Sequence, residues 1–182
     1  MSAIQSVTAS NGVFTIIGSD GKPQTVDLGT LMMMLNIERT ENIDQQVAIQ
    51  LSEMQDRNKL LTEMTEFLSQ LRTNKSKGIA PSNYTINGVT KTEKEWAAYF
   101  GISYTTITYN RPTDSKEADK WNAQFDANIN AVKGKIDTLN NDSQMDNIKL
   151  QNLLEKRGNA FEMATKVMAT NNESIKSVLR NL

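Results

Sequence analysis

The stretch Val47-Ala48-Ile49-Gln50-Leu51-Ser52-Glu53-Met54-Gln55-Asp56-Arg57-Asn58-Lys59-Leu60-Leu61-Thr62-Glu63-Met64-Thr65-Glu66-Phe67-Leu68 decides the fold of this chain. Val47, Met54, Leu61 and Leu68 recur every seven residues, Leu51 is offset by four, and Arg57, Lys59, Glu63 and Glu66 fall elsewhere. Apolar side chains at that spacing line one stripe of an α-helix, the pattern of a coiled-coil seam. Asp27 is suited to cap the helix, with Leu28, Leu31, Met32 and Leu35 in its first turns. From there to Arg72 no proline occurs, and no glycine after Gly29. About 45 residues rising about 1.5 Å each make a rod of roughly 65 Å, which favours an extended helical hairpin. A core helix of a compact bundle would show the same apolar face.

A second seam follows Arg111-Pro112, where Thr113 or Asp114 can cap a helical region running to Leu182. Phe125, Val132 and Leu139 are seven apart, as are Ile129 and Ile136. Later, Leu154, Phe161, Met168, Ile175 and Leu182 hold the same period. The two series are out of step by one residue, and the slip falls at Asn140-Asn141-Asp142-Ser143. A stutter in a continuous helix, with a kink allowed, is expected there in preference to a break.

The flanks read as β-structure. In residues 1–27 the turn dipeptides Asn11-Gly12 and Asp20-Gly21 bracket Val13-Phe14-Thr15-Ile16-Ile17, which predicts a small hairpin or meander. Thr73 to Asn83 reads as a polar loop, Tyr84-Thr85-Ile86 as a strand and Asn87-Gly88 as a turn. Thr92 with Glu95 matches a capping box and Gly101 suits a helix end, so a short helix is expected over Thr92 to Phe100. Ser103 to Tyr109, rich in Thr, Tyr and Ile, is expected to be a strand. The predicted architecture is thus mainly α. A β-hairpin over 1–27, a long helix over 28–72, a mixed α+β insert over 73–112 and a long helix over 113–182 form an antiparallel helical hairpin, read as one structural domain.

Composition excludes most catalytic chemistries. The 182 residues contain no cysteine and no histidine, so thiolates, disulfides, imidazole bases and Cys/His metal sites are absent. Lys and Arg total 20 against 21 Asp and Glu, a net charge of −1, which offers no excess positive charge for a phosphate backbone. Nucleic acid is therefore not an expected partner. The most apolar run, Leu28 to Leu35, is far shorter than the roughly 20 residues of a bilayer span, so no stable membrane insertion is expected. Met1 to Val13 has neither a basic lead nor an apolar core, so no cleaved secretory signal is expected.

Carboxylates remain as candidate catalysts. Glu93 with Glu95, Asp114 with Glu117 and Asp119, and Asp142 with Asp146 could each form an acid–base pair. Each lies at a predicted helix start or on a polar helical face, where the helix dipole or solvent accounts for it. Replacing Glu93 or Asp114 with Ala is accordingly expected to do little. Asp20-Gly21-Lys22-Pro23 lacks the ligand spacing of a calcium loop, and no glycine-rich phosphate loop occurs, so no metal or cofactor is expected. The sequons at Asn74, Asn83, Asn141 and Asn172 are matches that an Asn-rich chain produces by chance. Trp96, Tyr99, Phe100, Tyr104 and Tyr109 suit the core of the insert better than a ligand platform. The nine methionines, among them Met32 to Met34, Met54, Met64, Met163 and Met168, serve either a core or an interface that repacks on assembly.

Two long helices around a small mixed insert resemble the extracellular filament and needle-tip proteins of bacterial type III secretion systems. Leu139-Asn140-Asn141-Asp142-Ser143-Gln144-Met145, leading into Leu150-Gln151-Asn152-Leu153-Leu154, is similar to the run before and within the C-terminal assembly helix of the EspA/SseB-like filament proteins. Lys156-Arg157-Gly158-Asn159-Ala160-Phe161-Glu162-Met163 continues it in the style of tip proteins. The insert, with Asn87-Gly88 and the run Glu95-Trp96-Ala97-Ala98-Tyr99-Phe100-Gly101, sits where that family carries its variable middle region. The strand-like residues 1–27 depart from the family's helical N-terminus and leave filament subunit and tip cap both open.

The resemblance implies a non-enzymatic protein without cofactor, held by a cytoplasmic secretion chaperone before export and threaded unfolded through the needle. It would then act at the bacterial cell surface with copies of itself and with needle and translocator proteins. Leu150, Leu154, Phe161, Met168, Ile175 and Leu182 would form the self-assembly or partner interface. Val47, Met54, Leu61, Leu68, Phe125, Val132 and Leu139 would form the intramolecular seam. An intracellular helical adaptor or chaperone that binds a partner helix through the same face is the alternative from a different class. An acid-only hydrolase is a third.

Overall fold

Asp27 separates strand from helix because its carboxylate accepts hydrogen bonds from the Thr30 amide and the Thr30 hydroxyl, each at 2.8 Å. The structure, a computed structural model, describes residues 4–10, 13–18 and 20–180. The expected turn at Asn11-Gly12, the seam position Leu182 and the side chain of Ile175 lie outside the described residues. Ahead of Asp27, β1 (Ile4–Ser10), β2 (Val13–Gly18) and β3 (Pro23–Val26) form one antiparallel sheet in that order. Val7 stands opposite Ile16 and Thr15 opposite Thr25, so the element is a three-stranded meander with β1 and β3 as its edges.

The first long helix, α1, spans Leu28–Lys77. It passes the expected stop at Arg72 because its terminating signal lies further on, at Gly78, whose φ of +68° is left-handed. The Gly78 amide donates to Lys75 O at 3.1 Å and the Ile79 amide to Asn74 O at 3.0 Å, a Schellman closure. A Cβ at residue 78 would also lie 3.3 Å from Arg111 Cβ, where the Arg111 amide donates to Gly78 O at 2.9 Å. Lys75 and Lys77 complement the helix dipole in that last turn.

The insert begins with β4 (Asn83–Ile86) and β5 (Val89–Thr92), an antiparallel pair. Asn87 and Gly88 between them both have positive φ, 49° and 76°, the backbone a primed hairpin turn requires. The short helix α2 (Glu93–Phe100) carries the expected capping box of Thr92 and Glu95 and ends at a left-handed Gly101. Asp114 caps the last helix, α3 (Ser115–Arg180), by accepting from the Glu117 amide at 3.0 Å. This helix is continuous through residues 140–143, where the Ser143 hydroxyl donates back to Leu139 O.

Ser103 to Tyr109 is not a strand, which corrects the expectation drawn from its Thr, Tyr and Ile content. No strand edge accompanies it, and side chains bind its backbone instead. Asn128 accepts from the Thr105 amide at 3.0 Å and donates to Thr105 O at 2.8 Å. Glu93 accepts from the Ile107 amide at 3.2 Å, and Trp121 Nε1 donates to Tyr109 O at 2.8 Å. Propensity favours a pleated backbone, but a ladder needs a neighbour, and here buried side chains fill that place.

The chain divides into two compact units, residues 52–147 and residues 1–51 with 148–182. In residues 52–147 the helical hairpin is antiparallel: Arg57 pairs with Asp146 and Lys75 with Asp126, so positions rise on α1 as they fall on α3. Between these helices and the insert lies a dense core containing Phe67, Tyr84, Trp96, Phe100, Trp121 and Phe125. Phe67 meets Tyr84 edge-on at 5.0 Å between ring centroids, and Trp96 stacks on Phe100 at 5.4 Å. The insert aromatics are thus core residues in the main, although Tyr99 and Tyr109 are exposed. In the other unit, the meander and the first part of α1 join the last part of α3, where Arg157 binds Asp44 at 2.5 Å.

Asn128 is buried and holds both backbone groups of Thr105. Asn128→Ala is expected to cost about 2 kcal/mol in urea unfolding. Amide exchange should speed up across residues 103–109 while the β1–β3 amides are unaffected.

Candidate association surface

The buried positions that keep a sevenfold spacing form one row on each long helix, beside other buried residues such as Phe67 and Leu68 on α1 and Trp121, Asn128 and Ile129 on α3. On α1 the row holds Asn36, Ile43, Gln50, Met64 and Leu71, with Arg57 partly buried in it. On α3 it holds Ala118, Phe125, Val132, Leu139, Asp146 and Ala160, with Leu153 half-buried between the last two. Of the expected intramolecular seam, Leu68, Phe125, Val132 and Leu139 are buried, while Val47, Met54 and Leu61 are half-buried beside the deeper row.

The one-residue offset between the two apolar series therefore marks two different rows on one continuous helix. The seam does not slip; its next positions are Asp146 and Ala160, which a search for large apolar residues passes over. Asp146 is acceptable there because Arg57 donates to it across the helix pair. Leu154, Phe161 and Met168 keep the period one residue out of phase and so fall outside the buried row. They are 48%, 69% and 53% exposed, and Leu150 is half-buried.

In residues 1–51 and 148–182, the buried apolar side chains among the described residues are Ile16, Leu31, Ile43 and Ala160. The same unit exposes Leu28, Met32, Leu35 and Ile49 on α1 and Ile148, Leu154, Phe161, Met163 and Met168 on α3. At Gly158 a Cβ would meet nothing within 4 Å. A hollow of about 410 Å³ opens there between Thr40, Leu154, Arg157 and Phe161. Two buried seam positions of this unit are polar. Asn36 Nδ2 donates to Met32 O at 2.9 Å, and Gln50 Nε2 has no partner among the described residues. Large apolar groups outside and polar groups inside are the reverse of what a self-sufficient core requires, and they mark a surface suited to association.

The carboxylates fall into separate structural duties. Glu95 accepts from the Thr92 amide and hydroxyl, bonds that hold its carboxyl below the usual range. Asp114 caps α3, Glu117 pairs with Lys120, and Asp119 and Asp142 are exposed. Asp146 is committed to Arg57. Glu93 is 3% exposed and accepts from the Tyr104 hydroxyl, from the Tyr84 hydroxyl at 3.3 Å and from the Ile107 amide. Burial pushes its carboxyl above the ordinary 4.5, and burial together with the nearby Glu93 pushes both phenols up, so they act as neutral donors. Glu93 and Glu95 thus share a helix end without sharing a site. No group of three potential metal-ligating side chains occurs among the described residues. No helix there is long and apolar enough to cross a membrane.

Sequence reasoning missed the Arg57–Asp146 pair and the Glu93 cluster. The signal for the first was present, since Arg57 and Asp146 each lie seven residues from a buried seam position. The second had none, because Tyr84, Glu93, Tyr104 and Ile107 converge only through the fold. Comparison of the chain with family models, curated proteins and solved structures found no match.

Arg57→Ala, which takes the guanidinium from a buried carboxylate, is expected to cost about 3 kcal/mol in chemical denaturation. Arg57→Met combined with Asp146→Leu should recover most of that loss. Glu93→Ala, contrary to the tolerance expected from sequence, should cost about 3 kcal/mol, since two buried donors, Tyr84 and Ile107, and the half-buried Tyr104 lose their acceptor. The raised Glu93 pKa means that the folded chain binds this proton more tightly than the unfolded one. Its stabilising contribution is full below pH 4.5 and declines as pH rises through the raised value. Glu93→Gln should flatten that part of a stability-against-pH profile.

Proposed function

We propose that this chain is a non-enzymatic, self-assembling protein of the extracellular tip or filament of a type III secretion system. The observation that carries the reading is the row Leu154, Phe161 and Met168, large apolar side chains about half to two-thirds exposed at sevenfold spacing on a helix. A monomer gains nothing by presenting such a row to water, whereas copies that cover it for one another gain the hydrophobic term. Absence of cysteine, and a net charge of −1, suit a chain that unfolds for threading and then associates without strong mutual repulsion. In this reading a chaperone covers the row in the cytoplasm, and needle and translocator proteins are neighbours after export to the cell surface.

Purified protein should form rings or filaments in negative-stain micrographs, and it should reach culture supernatant only when the type III export ATPase is intact. Phe161→Asp or Met168→Asp should abolish assembly while far-UV circular dichroism stays helical. A chain that remains monomeric at high concentration and captures a partner helix through this row would instead be the intracellular adaptor. Loss of function in Asp114→Ala with fold and assembly intact would count for chemistry at a carboxylate.

A further inference from the structure

In the unit of residues 1–51 and 148–182, a groove of about 370 Å³ runs between the meander and α1. Ile16, Met34 and Ile37 give it an apolar floor, and Asp20, Glu38 and Glu41 give it an acidic rim. Among the described residues none of these three carboxylates is in an ion pair. The surrounding segment shares their sign. Residues 1–51 hold Lys22 and Arg39 against Asp20, Asp27, Glu38, Glu41 and Asp44, two positive and five negative charges, a net of −3.

The end of α3 has the opposite balance. Residues 148–182 hold Lys149, Lys156, Arg157, Lys166, Lys176 and Arg180 against Glu155, Glu162 and Glu173, six positive and three negative charges, a net of +3. The Asp44–Arg157 pair joins one charge from each segment and leaves a surplus on both. The positive segment also carries Leu154, Phe161 and Met168, the exposed row that needs covering.

We infer that the groove between the meander and α1 is the docking site for the C-terminal part of α3 from a second copy of this chain. The inference rests on the self-assembly reading above and adds the geometry of the contact. Apolar floor meets apolar row, and negative rim meets positive segment. Because the two surfaces are different patches, the contact is heterologous: each copy offers a groove to one neighbour and a helix to another, and copies add head to tail. The opposite charges orient the encounter, so association weakens as salt screens them.

Two variants test this by complementation. Glu38→Lys with Glu41→Lys reverses the rim and leaves α3 intact, whereas Phe161→Asp with Met168→Asp breaks the row and leaves the groove intact. Each alone should be monomeric in size-exclusion chromatography with light scattering. Mixed in equal amounts they should form a 1:1 dimer that grows no further, because the dimer's remaining groove and remaining row are both disabled. Wild-type association should weaken about tenfold or more between low and high ionic strength.

A wild type that assembles while the mixture stays monomeric overturns the groove inference and leaves self-assembly standing. A wild type that does not associate overturns both. Unimpaired assembly of the rim variant overturns the inference, as does an unrelated basic amphipathic peptide that fills the groove as well as the second copy does. Should charge reversal disturb the fold, Glu38→Gln with Glu41→Gln keeps side-chain size. That pair should assemble more weakly than wild type and lose most of the salt dependence; wild-type salt dependence in it counts against the inference.

Discussion

Large apolar side chains are limited in this chain, and the fold concentrates them in one place. With apolar residues at 38% and aromatics at 6%, one dense core can be assembled, and it lies in residues 52–147 around Phe67, Trp96, Trp121 and Phe125. Three of its buried rings, Tyr84, Trp96 and Phe100, come from the insert, which packs them against Phe67, Trp121 and Phe125 of the two helices. Burial of this kind is the dominant favourable term in folding. The unit made of residues 1–51 and 148–182 is left with a few buried apolar groups and many exposed ones. Its surface character follows from that shortage.

The heptad register carries the second layer of the structure. A seam filled only with aliphatic residues would pair in several registers with similar energy, whereas a charged residue in it restricts the choice. Asp146 is 2% exposed and receives the Arg57 guanidinium, so sliding one helix by a turn would strand a buried charge. Leu154, Phe161 and Met168 lie one residue outside the sevenfold row that holds Ala160, and they are exposed.

Much of this was legible from local chemistry. Capping residues Asp27, Thr92 and Asp114, the turn at Asn87-Gly88 and the helix end at Gly101 all act through groups within a few residues of themselves. Their reading needed no tertiary information. Gly78 belongs to the same class, although the polar residues before it resemble a loop: a Lys-rich last turn followed by glycine is how a helix stops. Ser103 to Tyr109 departs from its propensity for a different reason: Thr, Tyr and Ile favour a strand, but whether a ladder forms depends on a neighbouring edge that the segment cannot supply itself.

Sequence by itself determined the presence of the helices, the caps at Asp27 and Thr92, the turn between β4 and β5 and the sevenfold period, because each rests on interactions between residues close in the chain. Only the tertiary structure decided which of two adjacent sevenfold rows on α3 is buried. Hydrophobicity favoured Leu154 and Phe161, but in residues 148–182 it is Ala160 that is buried and Leu153 half-buried, while Leu154 and Phe161 are exposed. The physical reason is that burial belongs to a pair of surfaces. A helix can state which of its faces are apolar, and only the helix lying against it selects the one that leaves water.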